Sequence, residues 1–179
     1  MTAVAGSGIA FWLVLVAYLG LAAASIALAV IDIRVRRLPD AIVLPAFAVL
    51  AVLLAAAALV SGDLGALLRA LLGAVAMLVL YLLIHLATRG GMGFGDVKLA
   101  AVLGLATGWV GWDALIVAVV AAFVLGGAFG LTMLALRRAG RRSAVPFGPW
   151  MLAGAWVGIL AGPAIWRWYA ALAGLPQGF

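Results

Sequence analysis

The stretch GIAFWLVLVAYLGLAAASIALAVI, Gly8 to Ile31, runs for 24 residues without a charged side chain. A hydrocarbon core about 30 Å thick is crossed by about 20 helical residues rising 1.5 Å each. The run is therefore long enough to span a bilayer. It is also too long for the apolar centre of a cleaved signal peptide, nothing basic precedes it, and it reads as a retained helix. Five further apolar runs follow at Ala41–Val60, Leu64–Ala87, Val97–Trp112, Ala114–Leu136 and Ala144–Trp166, and the short segments between them hold nearly all the charge. Over all 179 residues 69% are apolar and 11 basic plus 5 acidic residues make 16 charged, against about 45–50% apolar and about 25% charged in a soluble domain. A soluble globule is excluded. The predicted fold is all-α: a polytopic membrane protein of six transmembrane helices forming one domain over residues 1–179.

Orientation follows from lysine and arginine, which are in excess in cytoplasmic loops. With both termini outside, Arg34, Arg36, Arg37, Arg89, Lys98, Arg137, Arg138, Arg141 and Arg142 fall inside, nine of the eleven. Arg69 and Arg167 fall outside, near helix ends from which a long side chain snorkels outward. The fourth run is the shortest. Were it re-entrant, the Arg137–Arg142 cluster would sit outside, against the charge rule, so six spans are kept. A multi-pass protein of the cytoplasmic (inner) membrane is expected, with basic loops that attract anionic lipid headgroups. The bases form no aromatic-interleaved patch, so no nucleic-acid partner is expected. Gly104 and Gly108, Gly126 and Gly130, and Gly154, Gly158 and Gly162 recur at every fourth residue, the spacing at which membrane helices pack closely. Trp109, Trp112, Trp166 and Trp168 suit an outer aromatic belt.

The chain has no cysteine, no glutamate and one histidine, which leaves five aspartates for any acid–base chemistry. Asp32 ends the first helix and opens the loop Asp32-Ile-Arg-Val-Arg-Arg-Leu-Pro-Asp40; Asp96 ends Gly91-Met-Gly-Phe-Gly-Asp96, before the fourth. The chain crosses outward and returns between them, so the two carboxylates share the cytoplasmic face although 64 positions separate them. Taken singly, Asp32 reads equally as a helix-end carboxylate paired with Arg36, and Asp96 as a helix cap. The alternation of Gly91, Gly93 and Gly95 resists helix formation and lets backbone approach closely. Irregular backbone near a membrane is tolerated only where protein buries it or water lines it, so a small aqueous pocket is expected here. Two carboxylates facing one pocket can share a proton, one acting as base on a water while the other polarises a carbonyl. Asp40, after Pro39, is read as a helix cap, and Asp63 and Asp113 as turn or cap residues. Lys98 either pairs Asp96 or follows the positive-inside rule. His85 is read as a core or interfacial histidine, since one histidine without cysteine or glutamate makes a poor metal site; no metal and no cofactor are expected.

Three stretches resemble the type IV prepilin peptidases, polytopic aspartic proteases with a Gly-x-Gly-Asp motif: Asp32 to Asp40, then Gly93-Phe-Gly-Asp96-Val-Lys98-Leu99, then Val145-Pro146-Phe-Gly148-Pro149 opening the last helix. The resemblance implies that Asp32 and Asp96 are the catalytic pair, with Gly93, Gly95 and Lys98 in the active-site loop and Pro39, Asp40, Pro146, Gly148 and Pro149 as structural motif positions. It implies as substrate a prepilin or pseudopilin precursor with a short basic leader before a hydrophobic helix, cut at the cytoplasmic face. Larger members carry an N-terminal region with paired Cys-x-x-Cys motifs and N-methylate the new terminus. With seven residues before the first run and no cysteine, peptidase activity without methyl transfer is expected, as in the short members. The rival reading is a non-enzymatic membrane protein, a small transporter or an assembly subunit, whose two aspartates bind a cation or relay protons. No internal repeat of the transporter kind is apparent, and the two acids lie at one face.

Overall fold

The computed structural model describes residues 2–88, 92–136 and 146–174, with side chains from Gly8 onward. Six helices follow one another: α1 Thr2–Val35, α2 Asp40–Ser61, α3 Leu64–Ala87, α4 Phe94–Val110, α5 Trp112–Ala135 and α6 Gly148–Ala173. No strand occurs among the described residues. The apolar runs became helices because a backbone among apolar side chains must satisfy its own hydrogen bonds. α1 continues one turn past the expected end at Ile31, so Asp32 lies in its last turn and does not open a loop. The turn closes with Arg36 donating its backbone N–H to the Asp32 carbonyl at 2.9 Å. Arg36 itself sits at φ 54, a left-handed conformation uncommon for a residue with a side chain. At the other end of the hairpin, Gly62 at φ 76 caps α2 in the left-handed conformation that glycine adopts freely. Asp63 caps α3 as expected, its Oδ1 accepting from the Ala66 N–H at 2.9 Å.

Five helices are long and apolar enough to cross a membrane; α4, with 17 residues, is the exception. At 1.5 Å per residue α4 covers about 25 Å. It packs against α2, α3, α5 and α6, and eleven of its residues, from Asp96 to Gly108, are buried. Its surroundings are protein, so its short length exposes few backbone groups to lipid. Arg69 of α3 completes the arrangement at the far end. Its Nε donates to the Gly108 carbonyl and its Nη2 to the Trp109 carbonyl, both at 3.0 Å, satisfying acceptors that a helix end leaves unpaired. The expectation that Arg69 snorkels outward is thereby corrected: the carbonyls of α4 are closer and equally in need of a donor.

The fourth-residue glycine spacing is used at two crossings. A Cβ at Gly73 would lie 2.6 Å from the Gly104 carbonyl oxygen, and one at Gly108 would lie 2.8 Å from that of Arg69, so α3 and α4 touch backbone to backbone. Between α5 and α6, a Cβ at Gly154 would lie 2.5 Å from the Ala122 nitrogen and one at Gly162 would lie 2.6 Å from the Ala114 Cα. Gly126 accommodates the Phe147 ring, whereas a Cβ at Gly130 would meet no atom of the described residues within 4 Å. Among the tryptophans, Trp112 and Trp168 are exposed and Trp109 packs against the core.

Arg69→Ala leaves two carbonyls of α4 without their charged donor and is expected to cost about 2 kcal/mol, with Arg69→Lys recovering part. Thermal unfolding in matched detergent measures this, and an unchanged midpoint for Arg69→Ala would show that α4 is closed by something else.

Candidate active site

α6 begins at Gly148 with no side-chain cap from Phe147, which leaves its first N–H groups in need of an acceptor. A carboxylate from another helix supplies one: the Gly148 N–H donates to Asp32 Oδ2 at 3.1 Å. The positive end of the helix dipole favours an anion at this point. Pro149 follows in the first turn, where its missing N–H leaves no donor stranded. A Cβ at 148 would lie 2.6 Å from Asp32 Oδ2, so any larger residue here must displace that carboxyl. Asp32 is 4% exposed.

Asp96 is the third residue of α4 and 8% exposed. The cap position is Gly93, extended at φ −67 and ψ 144, and the Asp96 carboxyl lies against it. Asp96 thus holds the third helical position, from which the acid of a capping box faces the cap N–H. Neither Gly93 nor Gly95 has positive φ, and Gly95 lies inside the first turn of α4. The glycine-rich loop therefore becomes helix sooner than expected, and Gly91 lies outside the described residues. What remains of the glycine argument is close approach: a Cβ at Gly95 would lie 3.0 Å from the Leu38 Cβ, whereas one at Gly93 would make only an ordinary 3.4 Å contact with Asp96 Oδ2.

Asp32 and Asp96 line one cavity of about 350 Å³, together with Arg36, Arg37, Leu38 and the backbone from Gly93 to Gly95. The two carboxyls lie within electrostatic reach of one another. The single-residue readings give way here. Asp32 makes no ion pair with Arg36 among the described residues, where the one salt bridge joins Lys98 Nζ to Asp40 at 2.7 Å. That bridge corrects two expectations. Asp40 is the first residue of α2, makes no side-chain capping bond behind Pro39, and gives both oxygens to Lys98. Lys98 lies on α4, beyond the loop, and its partner is Asp40 and not Asp96. Pro146 stands two residues before α6. The Arg137–Arg142 cluster and Arg89 lie outside the described residues.

His85 places its Nδ1 2.7 Å from the Met92 carbonyl oxygen and turns its ring edge toward Phe94 with centroids 5.7 Å apart. It ties the segment before α4 to the end of α3, in keeping with an interfacial role. Among the described residues no three His, Cys, Asp or Glu side chains gather as a metal site would require. Leu38 against Gly95, Arg37 as cavity lining and Tyr81 within the apolar run of α3 had no signal in the sequence, while Arg36, read as a partner of Asp32, lines the cavity without pairing with it.

The Type IV leader peptidase family matches residues 19–131 of the chain. A prepilin leader peptidase/N-methyltransferase of Aeromonas salmonicida is 35% identical over 146 residues, covering 80% of this chain and 48% of that protein. Proteins of the same name from Stutzerimonas stutzeri and Pseudomonas aeruginosa are each 34% identical, over 151 and 157 residues, with 84% and 83% of this chain covered and 51% and 50% of theirs. The chain thus spans about half the length of these curated relatives. No solved structure matches it. The matched region carries both aspartates and the cavity they share, and the chain belongs to the type IV leader peptidase family.

Proposed function

We propose that this protein is a membrane-embedded aspartic endopeptidase that removes the short basic leader from type IV pilin-like or pseudopilin precursors, with Asp32 and Asp96 as its catalytic pair. The observation that carries the proposal is the meeting of two buried carboxyls, 64 positions apart in sequence, in one cavity of about 350 Å³. In the reaction one carboxylate takes a proton from water as the water oxygen attacks the scissile carbonyl. The other, protonated, donates to the carbonyl oxygen as negative charge develops there. Collapse of the tetrahedral species breaks the C–N bond, and the first carboxyl returns its proton to the departing amine. Two groups this close titrate as a pair, so the rate falls when both are protonated and again when the shared proton is lost. Arg36 and Arg37 at the cavity mouth favour the singly ionised pair. The carrier alternative draws less support, because a cation site of this kind would use both carboxylates ionised and more oxygen ligands than the cavity offers.

The site lies at the cytoplasmic face of the cytoplasmic membrane, with both termini outside. Basic residues at the same end, Arg34, Arg36 and Arg37, hold that end against anionic headgroups.

Asp32→Asn and Asp96→Asn are each expected to reduce leader removal to background while leaving an inserted protein. Asp40→Asn should stay within about threefold of the parent, because the Lys98 bridge it weakens is 30% and 56% exposed at its two side chains and such pairs contribute little. Gel mobility of a coexpressed precursor at matched membrane levels reads all three; cleavage by the Asp32 variant sinks the assignment.

Steric room orders the glycines. Gly148→Ala should cost on the order of a hundredfold in rate by displacing Asp32, Gly95→Ala less, and Gly93→Ala least. Initial rates on purified variants decide the order, and full activity in Gly148→Ala would detach Asp32 from its helix terminus.

Orientation is read with single cysteines, since the native chain has none. An impermeant thiol reagent outside intact cells should label Ser61→Cys and spare Thr88→Cys; the reverse pattern would invert the topology.

A further inference from the structure

α3 and α4 run antiparallel with a register that the glycine contacts define. Gly108 meets Arg69, and four residues along each helix Gly104 meets Gly73. A Cβ at Gly104 would also lie 2.8 Å from the Met77 Cβ, which extends the contact along the same face of α3. Two further steps of four residues, up α3 and down α4, bring Met77 level with Ala100 and then Tyr81 level with Asp96. Both helices rise 1.5 Å per residue, so equal steps keep the pairing in register.

Tyr81 is fully buried, and its hydroxyl has no hydrogen-bond partner among the described residues. A half-buried phenol packed against this core is satisfied: Tyr18 donates to the Ala106 carbonyl at 2.7 Å. An unmet buried hydroxyl is destabilising, and native interiors keep few of them. The Tyr81 ring is held from behind. It stacks on Phe123 with centroids 5.9 Å apart and leans on Phe147, 6.2 Å away, the residue that precedes Gly148 and its contact with Asp32. The hydroxyl lies within electrostatic reach of the Asp96 carboxyl.

We infer that Tyr81 is a positioning residue of the active site, its hydroxyl, unpaired among the described residues, serving the Asp96 carboxyl through one bridging water. The inference rests on the proposed role of Asp96. It makes the aromatic cluster of Tyr81, Phe123 and Phe147 the support for both carboxyls at once, orienting Asp96 through the phenol and Asp32 through the start of α6. A phenol donor favours the ionised carboxylate, so its removal makes Asp96 hold its proton to higher pH. The other charged and titratable groups around the pair are Asp32, Arg36 and Arg37 in the cavity, with Lys98 engaged by Asp40 and His85 by the Met92 carbonyl. None of them changes in the variants below.

The experiment is an infrared titration of the full chain in lipid nanodiscs, following the carboxyl band that disappears in Asp96→Asn. Tyr81→Phe keeps the ring stack and should move this titration step up by about one pH unit, the effect of losing one hydrogen bond to a charged acceptor. The pH–rate limb should move with it, at an unchanged unfolding temperature. Incorporating 3-fluorotyrosine at position 81 keeps the shape, strengthens the donor and should move the step down. Phe123→Leu loosens the stack that holds the phenol while leaving every donor in place, and should move the step in the same direction as Tyr81→Phe but by less. A step unmoved by both Tyr81→Phe and the fluorotyrosine overturns the inference, whether or not the protein cleaves a precursor. Failure of the parent protein to cleave, with the titration shifts intact, overturns the proposed function alone.

Discussion

A carboxylate in an almost wholly apolar molecule is tolerated only where fixed dipoles replace the water it has lost, and the ends of helices are the main source of such dipoles here. α6 offers the Gly148 N–H to Asp32 from outside, and α4 carries Asp96 in its own first turn, where the positive end of its dipole faces the acid. Each helix needs an acceptor at its first turn and each acid needs a donor, so one contact meets both needs. The rest of the structure serves to bring these two helix starts together. Glycine at 148 leaves the space, Leu38 closes over Gly95, and the Lys98–Asp40 bridge ties the start of α2 to that of α4.

The enclosure of α4 follows from the same requirement. A helix whose first turn bears a buried acid is best placed away from lipid, and contacts with four other helices achieve this. Close backbone approach at Gly73, Gly104 and Gly108 removes the space into which α4 would otherwise slide. The position of Asp96 is therefore set by packing along most of the length of α4, well beyond its own loop.

How legible all this was from sequence depended on the range of the interaction. The apolar runs placed α2, α3 and α5 to within two residues at each end, because burial from water acts on every residue alike. Topology put Asp32 and Asp96 at one end of the molecule, and they do share a cavity. Asp40 was read as a cap because its local setting, after Pro39 and before an apolar run, matches one, and nothing local announces a lysine 58 positions away. The glycines before Asp96 argued for irregular backbone, yet α4 starts at Phe94 because a carboxylate at the third position stabilises the turn that the glycines weaken. Arg69 was misplaced and Tyr81 overlooked for the same reason: what each faces lies on another helix, and only the register of α3 against α4 reveals it.

One feature of α4 bears on the membrane as an insulator. A cavity opens on the carboxyls at one end of the helix, while at the other Arg69 fastens the last carbonyls. Between these ends the residues from Leu99 to Thr107 carry no charge and nearly all are buried. A proton delivered to the acids has no chain of polar groups along α4 by which to continue. The proposed peptidase chemistry at one end of α4 would thus leave the rest of the helix an uncharged, buried barrier.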